Sequence, residues 1–131
     1  MALHKMLHVQ DPKKEIMDKF ADTLANVDLF HNQVLVATYM RPNKTAGGII
    51  LTDKTTTEDK YQGKVGLVLQ KGPAAFKDDE RFKFYGVDVE VGDWVFYRAA
   101  DGQQMALNGE HVRILEDTRV RGKVKQPDMV L

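Results

Sequence analysis

Gly47-Gly48-Ile49-Ile50-Leu51 places three large aliphatic side chains directly behind two glycines, with Lys44, Thr45 and Ala46 before them and Thr52 after. The chemistry open to such a run is burial against another surface, worth about 1.5–3 kcal/mol for each side chain taken out of water. The two glycines give the backbone the freedom to turn as it presents that run. A buried strand or an aggregation-prone edge has the same composition, and periodicity by itself does not separate the readings.

Other chemistries find little support. The chain has no cysteine and no serine, which removes the two commonest activated nucleophiles and the thiolate metal ligands. His4, His8, His31 and His111 are scattered without the paired spacing of a metal site, so surface or hydrogen-bonded core roles are expected and no metal or cofactor is. Asp78-Asp79 sits among cations and reads as a solvated surface rather than an acid–base pair, so no enzyme is expected. With 19 Lys+Arg against 19 Asp+Glu the formal charge is +0, and the chain lacks the electrostatic footprint of a nucleic-acid or anionic-membrane binder. Met1 to Val9 is too short and too polar for a membrane span or a signal-peptide core, which gives the expectation of a soluble cytoplasmic protein.

The elements that must position the aliphatic run are legible in outline. Asp11-Pro12 followed by Ile16, Phe20 and Leu24 predicts an amphipathic helix over Pro12 to Asn26. From Asn32 the period changes, and Val34, Val36 and Thr38 alternate with Leu35, Ala37 and Tyr39 as in a strand buried on one or both faces. A second strand is expected at Lys64 to Gln70, where Gly66 signals a bend or a close backbone approach. The connection between them, 41–61, has no sustained period, and loops of this length in compact domains are usually functional or disordered. After Gly72-Pro73, Phe76, Phe82, Phe84 and Tyr85 are expected to pin an excursion onto the body of the fold. Gly92-Asp93 leads into a strand from Trp94 to Arg98, with Trp94 in the core. Asp101-Gly102 and Asn108-Gly109 bracket a short strand at Gln104 to Leu107, His111 to Leu115 forms another, and Arg119 to Lys125 alternates as a last one. Several short strands with regular turns predict a mostly β, small barrel or sandwich.

In this context the run at Lys44 to Leu51 resembles the mobile loop of GroES-type co-chaperonins, whose pattern is Lys-Ser/Thr-Ala-Gly-Gly-Ile-aliphatic-Leu. Asn32 to Val36 is similar to that family's first strand, Gln62-Gly63-Lys64-Val65 to the segment that resumes its barrel, and Val89-Glu90-Val91-Gly92-Asp93-Trp94-Val95 to its Val-x-Val-Gly-Asp-x-Val signature. The resemblance implies a small GroES-like β-barrel in a homo-oligomeric, seven-membered ring that caps an ATP-driven, GroEL-type chaperonin and assists protein folding. Chaperonin binding then falls to Gly47, Gly48, Ile49, Ile50 and Leu51 in contact with the apical domains, with Lys44, Thr45, Ala46 and Thr52 as flanks. It also implies that Arg119 to Val124 pairs with the His31 to Tyr39 region of a neighbouring subunit.

The implied organisation is an N-terminal extension with the helix over 1–30, the barrel over 31–125, and a tail over 126–131. The barrel carries the mobile loop at 41–61 and a roof-like insertion at 72–86. The extension and the aromatic insertion depart from the cellular pattern. Gly72 to Phe82 and Gly92 to Arg98 look more like bacteriophage-encoded GroES-like proteins. That likeness raises an alternative, a virion component such as a head-decoration or neck protein in contact with phage capsid proteins. It would place a co-chaperonin in the host cytoplasm, with a capsid protein as a client.

One loop binds weakly on this reading. Burying Ile49, Ile50 and Leu51 contributes about 5–9 kcal/mol gross, and ordering roughly 5–8 residues at about 1–2 kcal/mol each offsets most of it. Several loops on one ring raise the effective concentration of each later contact.

Overall fold

The computed structural model describes residues 12–40, 63–80 and 82–129. The helix α1 spans Lys13–Leu24, and six strands follow: β1 Gln33–Thr38, β2 Val65–Lys71, β3 Trp94–Phe96, β4 Gln103–Leu107, β5 Glu110–Glu116 and β6 Gly122–Val124. They form one antiparallel sheet in the order β4-β5-β1-β2-β3-β6. The expected mostly β fold with one N-terminal helix is what forms.

The central strands of this sheet are buried on both faces, which is why β1 and β2 read as nearly continuous apolar runs. One face carries Leu35, Ala37, Tyr39, Val65, Leu67, Leu69, Trp94 and Val112, and α1 covers it with Phe20 fully inserted and Ile16, Met17 and Leu24 alongside. The other face carries Val34, Val36, Val68, Val95, Tyr97 and Leu115, and is closed by Ala75 and Val89 from the long β2–β3 connection. Between Leu35 and Val36 the β1–β2 register slips by a bulge, so that Leu35 faces Gln70 while Val36 faces Val68.

The helix is shorter than its sequence pattern by a residue at its start and two at its end, and no side chain caps it at Pro12. Its exit is held by Gln70, whose amide donates to Val27 O at 2.9 Å and accepts from Leu29 N at 3.2 Å. Outside the core, Lys19 pairs with Glu110 at 3.4 Å and Asn108 donates to the Thr23 hydroxyl at 3.2 Å, tying α1 to the β4–β5 hairpin.

The β2–β3 connection is fastened at both ends. The Asp117 carboxylate accepts from Phe76 N and from Asn32 Nδ2, both at 3.0 Å, and Lys71 Nζ donates to Val89 O at 2.7 Å. Phe76 and Phe84 meet edge to face at 5.8 Å, and Phe84 is buried. Phe82 stacks outside Phe84 and Tyr85 is 91% exposed, so only half of the aromatic set pins the excursion. Within the roof-like insertion expected at 72–86 there is a tight turn, Val87 N to Phe84 O at 3.1 Å, with positive φ at Tyr85 (52°) and Gly86 (80°), and among the described residues no strand flanks it.

The C-terminal expectation needs correction. Arg119 to Lys125 does not form one strand: Asp117–Arg119 is a 3-10 turn and only Gly122–Val124 pairs, with β3. The turn forms because Asp117 N donates to Asn32 O and Val120 N to Asp117 O, which takes the chain out of extended geometry. Nor does Gln33–Thr38 offer a free edge, since β2 and β5 occupy both sides of it. Pairing between subunits would have to use residues outside that span.

Candidate functional site: the root of the 41–62 segment

All nine sequence-predicted site residues, Lys44 to Thr52, lie outside the described residues. What the structure places is the pair of chain ends from which they depart and to which they return. β1 and β2 are antiparallel neighbours, Thr38 stands opposite Gly66, and Tyr39 N donates to Val65 O at 2.9 Å. Lys64 O in turn accepts from Tyr97 N at 2.9 Å. The exit from β1 and the entry to β2 therefore lie side by side at one end of the sheet, backed by the end of β3.

On one face this root is apolar. The Tyr39 ring meets Trp94 nearly perpendicular, at 83° and 5.7 Å between centroids, an arrangement that brings a ring edge to a ring face. Both belong to the cluster that α1 covers.

On the adjoining strands the root is polar. His111 Nδ1 lies 3.0 Å from Thr38 Oγ1, and Nε2 lies 3.2 Å from Gln104 Oε1. A carbonyl oxygen can only accept, so Nε2 carries a proton toward Gln104, while the Thr38 hydroxyl is able either to donate to Nδ1 or to accept from it. The sequence expectation of a surface or hydrogen-bonded role for His111 is met by the second.

Arg113 follows on β5, fully buried, with no carboxylate paired to it among the described residues. Its Nη1 donates to Ala99 O at 2.7 Å and Asp101 O at 2.8 Å, with a longer contact to Arg98 O at 3.4 Å. The guanidinium sits over the Tyr97 ring, which offsets part of its desolvation. Among the described residues the Tyr97 hydroxyl has no hydrogen-bond partner, and neither do Arg113 Nε and Nη2. Burial pushes the Tyr97 phenol up to about 12, against the Arg113 charge and the Thr38 hydroxyl, which pull it down. Thr38 exerts that pull from outside hydrogen-bonding geometry.

Gly66 makes this end possible. A Cβ there would stand 2.8 Å from Val36 Cγ2 and 3.0 Å from the Tyr97 hydroxyl, so the close approach signalled by that glycine is real. Thr38, Gln104, Tyr97 and Arg113 were not singled out from sequence. The available signal was Arg113, a cation standing in register with Leu115 on a strand whose alternation directs that face inward.

Among the described residues no group of three or more His, Cys, Asp or Glu could hold a metal ion. Among the same residues, no helix is long and apolar enough to cross a membrane.

Comparison with known proteins bears on what is held. The family model described as Chaperonin 10 Kd subunit matches residues 26–124. The Co-chaperonin GroES 2 of Mesorhizobium japonicum is 36% identical over 96 residues, 73% of this chain and 86% of the relative. The Co-chaperonin GroES of Parvibaculum lavamentivorans is 36% identical over 92 residues, 70% of this chain and 82% of its own length. The Co-chaperonin GroES of Methylobacillus flagellatus is 36% identical over 94 residues, 72% of this chain and 92% of its own length. All three come from cellular bacteria, and neither a phage origin nor a virion role draws support from them.

Proposed function

The chain belongs to the chaperonin 10 family and is a co-chaperonin, and on that premise we propose that it docks on a GroEL-type chaperonin through Gly47, Gly48, Ile49, Ile50 and Leu51. The observation that carries the reading is the root. A segment that leaves β1 and re-enters β2 beside it, with Tyr39 N bonded to Val65 O, is held at both ends by the sheet. The three aliphatic side chains fit an apolar groove on the chaperonin, and the flanks Lys44, Thr45, Ala46 and Thr52 frame them. A homo-oligomeric ring, seven-membered by family resemblance, turns several weak contacts into one firm and releasable grip.

Pull-down on a purified GroEL-type chaperonin with ATP tests this. Ile50→Asp puts a charge into the proposed apolar contact and should abolish capture, while Gly48→Val should weaken it by restricting the backbone. Undiminished capture of Ile50→Asp would remove the aliphatic run from the interface. Sedimentation tests the ring: a monomeric protein that still binds tightly would contradict the avidity argument.

A further inference from the structure

We infer that α1 is a positioning element for the 41–62 segment, acting through Phe20 on the segment's root. The inference rests on the docking role proposed above and adds a residue to it from outside the aliphatic run.

Phe20 is 4% exposed and belongs to the same cluster as Tyr39, Val65 and Trp94. Tyr39 and Val65 are the two residues whose backbones form the last described rung before the segment. The Tyr39 ring is fixed against Trp94, and Trp94 itself pairs with Leu67 on β2. The helix thus packs on the buried cluster to which the two residues of that rung belong.

The family match begins at residue 26, after α1 has ended at Leu24. The helix therefore acts on the shared fold as an addition to it. Its second set of ties, Lys19 to Glu110 and Asn108 to Thr23, is at the surface and holds it to the β4–β5 hairpin. Phe20 alone among its residues is fully buried.

A root that is held fixed leaves less backbone freedom to be lost on docking, and affinity follows from such preorganisation. Loosening the root lowers affinity without removing any contact made by Ile49, Ile50 or Leu51. Phe20 is thus a positioning residue, whose loss is felt in partner binding while the sheet remains folded.

The experiment uses the full chain with purified GroEL-type chaperonin and ATP. Phe20→Ala should weaken chaperonin affinity by roughly tenfold, in the range of couplings between linked sites. It should also lower hydrogen-exchange protection of the Tyr39 amide, with the sedimentation mass unchanged and the melting temperature above that of the assay. Phe20→Leu, which refills the space, should restore both affinity and protection, a rescue that general weakening of the fold does not predict. If Phe20→Ala does not fold, Ile16→Ala at the edge of the same contact replaces it, with a smaller loss expected in both readouts. Wild-type affinity in a variant whose Tyr39 protection has fallen overturns the inference, as does weakened affinity with protection intact. The two readings fail separately: normal capture of Ile50→Asp defeats the docking role, whereas loss of capture there with an unaffected Phe20→Ala defeats only the role of the helix.

Discussion

The Arg113 guanidinium lies 4.9 Å from the centre of the Tyr97 ring, with both side chains buried, and among the described residues no carboxylate pairs with it. A lone buried cation is expensive to desolvate, and what offsets it here is a set of backbone carbonyls from the turn between β3 and β4 together with the ring face.

Substitution at Arg113 should therefore invert the usual conservative order. Methionine has a similar length, removes the charge and its two unmet donor atoms, and leaves the carbonyls of Ala99 and Asp101 in a turn that water can reach in part. Arg113→Met should stay within about 1 kcal/mol of wild type. Lysine keeps the charge but loses the planar fork and the stacking, and Arg113→Lys should cost about 2–3 kcal/mol. Urea denaturation of the two variants decides the order, and a lysine variant more stable than the methionine one would refute it.

Tyr97 gives the fold an alkaline limit. Its phenol stands at about 12 when folded against 10.0 for the free group, so the folded state holds the proton longer than the unfolded chain does. The associated stability is complete below pH 10 and is lost as the pH rises from there toward 12. The fall should be on the order of 1 kcal/mol per pH unit across that window. Tyr97→Phe removes the titrating group, and since the hydroxyl has no partner it should cost little at neutral pH while flattening the alkaline decline. Denaturation curves at a series of pH values between neutrality and 12 test both statements.

How far the sequence discloses this fold varies from residue to residue. Ile16, Phe20 and Leu24 announce α1 because a four-residue recurrence has no other economical explanation, and Asn108-Gly109 announces the β4–β5 hairpin because its turn demands positive φ. Arg119 to Lys125 misleads because alternation of cations with Val120, Gly122 and Val124 supplies no firm apolar face. The competing backbone bond that Asp117 N donates goes to Asn32 O, far away in sequence. Arg113 illustrates the same limit: the three carbonyls that make its burial tolerable arrive from the turn at Arg98 to Asp101, and local pattern does not reveal them. The aliphatic run at Ile49 to Leu51 is legible as a motif. The rung of Tyr39 on Val65 that holds its root is a long-range pairing, visible only once the strands are in register.

Gly66→Ala should be destabilising for steric reasons alone. The new methyl group would meet Val36 Cγ2 at 2.8 Å, Val36 Cβ at 2.9 Å and the Tyr97 hydroxyl at 3.0 Å, at the tightly packed root where β1, β2 and β3 meet. Overpacking of this kind costs about 1–3 kcal/mol. A smaller part of it should be relieved in the Gly66→Ala, Tyr97→Phe double variant, where one of the three obstructing atoms is gone and the two of Val36 remain. A double-mutant cycle in urea with no coupling between the positions would show that Tyr97 is not what the glycine accommodates.

Gly109→Ala offers the complementary case, in which space is free and conformation is not. Nothing lies within 4 Å of a Cβ built there, but the residue has φ +82°, following Asn108 at 52° in the turn that joins Leu107 to Glu110. An L side chain in the left-handed region costs roughly 1–2 kcal/mol, and no partner substitution can relieve it because no neighbour causes it. The loss should therefore be similar in the wild-type and Tyr97→Phe backgrounds, unlike that of Gly66→Ala. Because Asn108 also donates to Thr23, the strain will be felt where the hairpin meets α1. Hydrogen-exchange protection should fall first at the rung between Leu107 and Glu110, next to the turn, and last at Gln103 and Ile114. Uniform loss of protection along the whole hairpin would indicate instead that the turn is needed for β4 to pair at all.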